Sequence, residues 1–278
     1  MRVSQTLFVI MMLVAFSTSA LAEASTFQYL HPVGKAKYHE LQSDHLGRSF
    51  HIFVSLPDAY ADSQKNYPTI YLLDGGITFP LLSSFHQYLR FGDEVPEAIL
   101  VGISYGAVTF EDGNMRSTDY SAPSTDRDYW GGASVFQNVL QDELFPLIER
   151  TYRSDSSQRI IFGQSMGGQF VLFTALTRPK LFSGHIASNP ALHRNLPFFL
   201  QWHGEGEIPG PVSKLFVSNG DLNDERFQLP ALKWVEYWNK QTPRPWLLET
   251  RILPGQTHFS IVPESFRQGL TWLYSEQD

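Results

Sequence analysis

The chain of 278 residues contains no cysteine. Disulfides, thiolate nucleophiles and Cys-ligated metal centres are therefore excluded together. Charge is sparse as well, with 21 Lys and Arg against 28 Asp and Glu, 18% of all residues, and a formal balance of −7. No basic stripe stands out, and an acidic exterior argues against nucleic acid as a partner. The pattern H-E-x-x-H is missing. His31, His39, His45 and His51 are spaced to suit no metal motif and read as surface or loop residues. Internal repeats, low-complexity tracts and linkers are lacking too. What is there, at 42% hydrophobic, is enough for one large α/β domain with a two-sided core and too little for two.

One hydrophobic feature stands apart from that domain. Arg2, an apolar run over 7–16, and the ending Ala20-Leu21-Ala22 together describe a cleavable signal peptide over 1–22. The run is shorter than the roughly 20 residues that span a bilayer, so stable membrane insertion after cleavage is not expected. Taking Arg2 from the 21 basic residues leaves 20 against 28, a balance of −8 for the remaining chain. An exported protein follows, periplasmic or secreted, with a single domain over 23–278.

Along that domain, short apolar runs end at turns. "RSFHIFVSL" (48–56) alternates like a half-exposed strand. "PTIYLLD" (68–74), "EAILVGIS" (97–104), "RIIFG" (159–163), "SGHIAS" (183–188) and "KLFVSNG" (214–220) are continuous enough for strands buried on both faces, and a last strand is expected near 247–253. Between them, 133–152 puts Phe136, Val139, Leu140, Leu144, Leu147 and Ile148 on one face, with Pro146 set to kink or break it. Further helices are expected over 166–177, 229–240 and 262–274. Such alternation predicts an α/β fold, a mostly parallel sheet with helices on both faces, and a site at the carboxyl ends of its strands. The segment 105–132 has weak periodicity but many aromatics and charges, and is expected as an ordered loop over that site.

The stretch "QRIIFGQSMGGQF" carries the chemistry. Gly163-Gln164-Ser165-Met166-Gly167 fits G-x-S-x-G directly after an apolar strand and before a helix, the setting in which a serine is held proud of a sheet on a strained turn. A serine hydroxyl needs a base. His258, in "LPGQTHFS" between the last strand and the last helix, arrives where that base belongs. The acid is sought after "KLFVSNG", where the loop "DLNDERF" offers Asp221, Asp224 and Glu225. Asp224 is favoured, with Phe227 three residues on to pack beneath the loop, and Glu225 stays open beside it. Oxyanion donors are expected from the amides of Met166 and Gly76. Arg116 and Trp130, together with Tyr120 and Tyr129, are placed by the long loop where they can shape a substrate pocket.

These stretches resemble the putative-esterase family of α/β-hydrolases, which includes esterase D, feruloyl esterases, siderophore esterases and bacterial mycolyltransferases. The resemblance covers about 35–275. It is densest in "YPTIYLLDGG", in the stretch from "WGGASVFQNVLQDELFPLIERTY" through the serine motif to "SGHIASNPAL", and in "LPGQTHFSIVPESFRQGLTWL". It implies the α/β-hydrolase fold and ester hydrolysis without a cofactor or metal, on a small-molecule ester, with the siderophore branch nearest. Where the family usually has serine after the sixth strand, this chain has Asn189-Pro190, which marks Asn189 as a candidate substrate contact. An acyltransferase using the same triad, or a non-catalytic ligand-binding periplasmic protein, remains open on the sequence.

Overall fold

A computed structural model describes residues 30–208 and 210–275; the expected signal peptide lies outside them. Eight strands form one sheet in the order β1-β2-β4-β3-β5-β6-β7-β8. They are β1 (Lys37–Gln42), β2 (Ser49–Ser55), β3 (Tyr67–Leu72), β4 (Ile99–Ser104), β5 (Ser154–Gln164), β6 (Gly184–Ser188), β7 (Ser213–Gly220) and β8 (Trp246–Leu253). β2 runs antiparallel to both β1 and β4, and all other neighbours are parallel. The apolar runs read from the sequence are the central strands because only there are both faces covered. β1, half-exposed at an edge, has too weak a pattern to be read in advance.

The longer helices are α1 (Gly75–Phe91), α2 (Ala133–Asn138), α3 (Phe145–Thr151), α4 (Met166–Thr177), α5 (Glu225–Asn239) and α6 (Val262–Tyr274), and single helical turns lie at Arg116–Asp119 and Leu196–Phe199. α1 and α6 cover one face, where Phe79, Leu82, Phe266 and Leu270 pack on Ile70, Phe162 and Ile186. α2 to α5 cover the other, where Phe136, Phe170, Trp234 and Trp238 pack on Tyr71, Ile161 and Leu215. The break expected at Pro146 takes another form. Pro146 lacks the amide that would bond back to Asp142, and the residues before it, Val139–Leu144, widen into a π-helical turn that joins α2 to α3 without a gap.

Two close approaches position the site. A Cβ on Gly163 would stand 2.3 Å from the Gly167 backbone, and one on Gly75 would stand 2.4 Å from the Ile103 backbone nitrogen. Glycine at these positions lets α4 fold back on β5 and lets α1 start against β4. α1 itself escaped the sequence reading because Gly75, Gly76 and Pro80 look like a turn. It forms because Phe79, Leu82 and Leu89 find a core to bury in.

Candidate active site

β5 ends at Gln164 and α4 begins at Met166, so Ser165 alone makes the turn, at φ +58° and ψ −112°. Positive φ is strained for a residue with a side chain, and the strain is held by its surroundings. The Ser165 amide donates to the Ser188 carbonyl at 3.0 Å, while the Ser165 carbonyl accepts from the amides of Gln169 and Ala191. The hydroxyl is left facing the loop after β8, where His258 Nε2 lies 2.9 Å from Ser165 Oγ.

The other edge of the imidazole meets an amide. His258 Nδ1 is 3.1 Å from Asn223 Oδ1. The direction of every bond around it follows from the backbone. Asn189 Oδ1 accepts from the Gly220 amide at 2.9 Å, and Asn189 Nδ2 donates to the carbonyls of Thr257 and His258 at 3.2 Å each. With its oxygen so placed, Asn189 takes the Asn223 Nδ2 donor at 3.1 Å, which turns Asn223 Oδ1 toward His258. Nδ1 of His258 therefore carries the proton, and the bare Nε2 faces the serine.

The acid loop differs from the expectation. Asp224 is exposed and caps α5, its Oδ1 accepting from the Arg226 amide at 2.8 Å, and Glu225 is exposed in the first turn of that helix. Neither carboxylate is bonded to His258. Asp221 Oδ1 accepts from the Gln256 amide and so ties the two loops together. The helix start after β7 draws Asp224 into capping. Asn223, one residue earlier and buried, carries no charge and so lacks the carboxylate signature of a triad acid in the sequence. Its signal was its place in the same loop, since an asparagine orients the base in some cysteine triads. Asn189 is corrected too: fully buried, it holds the loops after β7 and β8 instead of facing a substrate.

Burial pushes the His258 imidazole below the usual histidine range, and the nearby Arg226, His193 and Arg116 add to this against the opposing pull of Asp224. Phe227 stacks on the imidazole with centroids 4.4 Å apart. The cleft in front of Ser165, about 370 Å3, is lined by Arg127, Tyr129, Trp130, Arg194, Arg226 and Phe227 among others. The loop over 105–132 thus reaches the site as expected. Arg116 also lines the cleft, yet its guanidinium forms a two-point pair with Asp74 at 2.7 and 2.8 Å, fastening that loop to the start of α1. The buried Tyr120 supports the same corner, its hydroxyl accepting from the Asp74 amide. A larger hollow of about 860 Å3 along Arg178 and Trp202 holds none of these groups. Among the described residues no cluster of three or more His, Asp or Glu is arranged for a metal ion.

Gly76 and Met166 occupy matching places. β3 and β5 are neighbours in register, Leu72 opposite Phe162, and each leads into a helix N-terminus, α1 at Gly75 and α4 at Met166. The first amides of both helices have no carbonyl within their own helix to bond. They lie at the same sheet end as Ser165.

Known proteins share this arrangement of chain. The siderophore triacetylfusarinine C esterase of Aspergillus fumigatus is 26% identical over 221 residues, 77% of this chain and 71% of that protein. The ferri-bacillibactin esterase BesA of Bacillus subtilis is 35% identical over 179 residues, 58% of this chain and 60% of that protein. Among solved structures, an IroE-like serine hydrolase from Shewanella oneidensis shares the fold at a TM-score of 0.74, with 24% identity over 86% of this chain and 80% of that one. The family model described as Putative esterase matches residues 43–262, a span that holds Ser165, Asn223 and His258, and the chain belongs to this family of α/β-hydrolases.

Proposed function

We propose that the protein is a serine esterase that cleaves a small, anionic ester of siderophore type through an acyl-enzyme on Ser165. The observation that carries the reading is the bare His258 Nε2 standing 2.9 Å from Ser165 Oγ, with its tautomer fixed from the far side by Asn223. As Oγ attacks the ester carbonyl carbon, its proton passes to Nε2. The carbonyl oxygen gathers negative charge, which the Met166 and Gly76 amides are suited to receive. Collapse expels the alcohol, which takes the proton back from Nε2. Water then repeats the sequence in the same site, losing a proton to His258 and releasing the acid and the free serine. No step calls for a cofactor.

The substrate class rests on charge. Arg127, Arg194 and Arg226 border the cleft, and among the described residues none of the three is in an ion pair, whereas Arg116 beside them is matched by Asp74. Unmatched cations in a chain of net charge −7 favour an anionic ligand. Trp130, with the Arg194 guanidinium 5.4 Å from its ring, and Tyr129 add flat surface for an aromatic one. The siderophore esterases among the relatives support the same class. Export by the 1–22 segment is part of the proposal and is checked by finding Glu23 as the first residue of the protein recovered outside the cytoplasm.

Purified protein should hydrolyse p-nitrophenyl acetate and butyrate, and an anionic p-nitrophenyl hemisuccinate with lower KM. Ser165→Ala should lose this activity. Equal rates from the wild type and Ser165→Ala remove the esterase reading.

A further inference from the structure

His258 works without a carboxylate at its back, which raises the question of what else holds an imidazole that must become a cation. Its two nitrogens are taken by Ser165 and Asn223, and both partners are neutral. Its ring face is taken by Phe227, with centroids 4.4 Å apart and planes 26° apart. Phe227 is itself fixed. Its amide donates to the Asp224 carbonyl at 2.9 Å in the first turn of α5, and the ring of His193 meets it edge-on at 4.8 Å.

We propose that Phe227 is a positioning residue for the proposed esterase reaction: its ring sets the plane of the His258 imidazole and stabilises the imidazolium formed when Nε2 takes the Ser165 proton. The inference rests on the esterase reading of the site. The physical ground is that the face of an aromatic ring carries negative electrostatic potential, so a stacked imidazole is held more strongly once protonated. The charges around His258 make that contribution matter. Arg226 from α5, Arg116 from the 105–132 loop and His193 from the loop after β6 all oppose a positive imidazole, and among the described residues Asp224 pulls the other way. The Arg226 guanidinium also lies 4.5 Å from the Phe227 centroid, so the one ring neighbours a cation that is permanent and one that comes and goes. A ring serving only as cleft wall would contact substrate and leave the imidazole unaffected.

Two measurements test this. The first needs no turnover: the His258 ring is titrated by NMR in the wild type, Phe227→Leu and Phe227→Tyr. Leucine keeps the bulk and loses the π face, so the His258 midpoint should fall by about half a pH unit in Phe227→Leu and return in Phe227→Tyr. An unchanged midpoint in a folded Phe227→Leu overturns the proposal whether or not the protein is an esterase. The second is steady-state hydrolysis of p-nitrophenyl acetate. Phe227→Leu should lower kcat about tenfold with KM within about twofold, and Phe227→Tyr should restore it. A raised KM with kcat intact would instead make Phe227 a substrate contact and overturn the positioning role. Loss of Ser165-dependent hydrolysis in the wild type would strike the esterase reading alone, since the titration stands without it.

Discussion

In the proposed esterase reaction, Asn223 takes at the back of His258 the place that a carboxylate takes in most serine hydrolases, but fills it only in part. Its amide oxygen accepts the Nδ1 proton and fixes the tautomer, and it brings no negative charge to the imidazolium. Asn223→Ala should therefore cost about a hundredfold in kcat on p-nitrophenyl butyrate, because the ring loses its orientation. Asn223→Asp should raise the His258 pKa and move the acid limb of kcat/KM to higher pH. The same change sets a carboxylate oxygen against Asn189 Oδ1, which Gly220 holds in place, so the thermal midpoint should drop as well. The wild-type limb has a definite sign. A lowered pKa leaves Nε2 unprotonated to lower pH, so the acid limb of kcat/KM should lie below the pH at which an ordinary histidine titrates. Arg226→Gln removes a cation that lowers this pKa and should shift the limb upward, which a pH–rate profile reads directly.

The site is a meeting of element ends. β5 and α4 supply the serine turn, β7 and α5 the asparagine loop, and β8 and α6 the histidine loop. Asn189, at the end of β6 with φ +39°, joins the last two. Its fully buried side chain accepts from the buried Gly220 amide and from Asn223 Nδ2 and donates to the carbonyls of Thr257 and His258. Asn189→Ala leaves the buried Gly220 amide and Asn223 Nδ2 without their acceptor and should cost about 2–4 kcal/mol in urea unfolding, with kcat falling alongside as Asn223 and His258 lose their fixed approach. A variant with full stability and reduced kcat would show that Asn189 acts on the substrate after all.

For the molecule as a whole, two histidines far from the chemistry add to the response to acid. Burial holds the imidazoles of His86 and His185 down to about 4 each. In the unfolded chain both return to about 6.5. Between these values the unfolded state binds protons that the folded state refuses. Stability is thus full above about 6.5 and is lost as pH falls toward 4, at about 1.4 kcal/mol per pH unit for each histidine. Urea midpoints at pH 7 and pH 5 should show the loss, and His185→Leu should reduce it. A midpoint independent of pH over that range would contradict the burial of both rings.

Sequence alone determined the α/β class of fold and seven of its eight strands in outline, the ends of α4 and α6, the serine turn and the histidine opposite it. Each is a local pattern: an apolar run stopped by a turn, a helical period, or glycines flanking one serine where a Cβ would strike the backbone. Tertiary structure decided what depends on partners distant in the chain. α1 was hidden behind Gly75, Gly76 and Pro80 until Phe79 and Leu82 had a sheet to pack on. Arg116 became a strut once Asp74 stood 2.7 Å away. The residue behind His258 was settled in the same way, because an exposed carboxylate can cap a helix as readily as serve a base, and only the hydrogen bonds of Gly220, Asn189 and Asn223 show which of three neighbours in one loop reaches the ring.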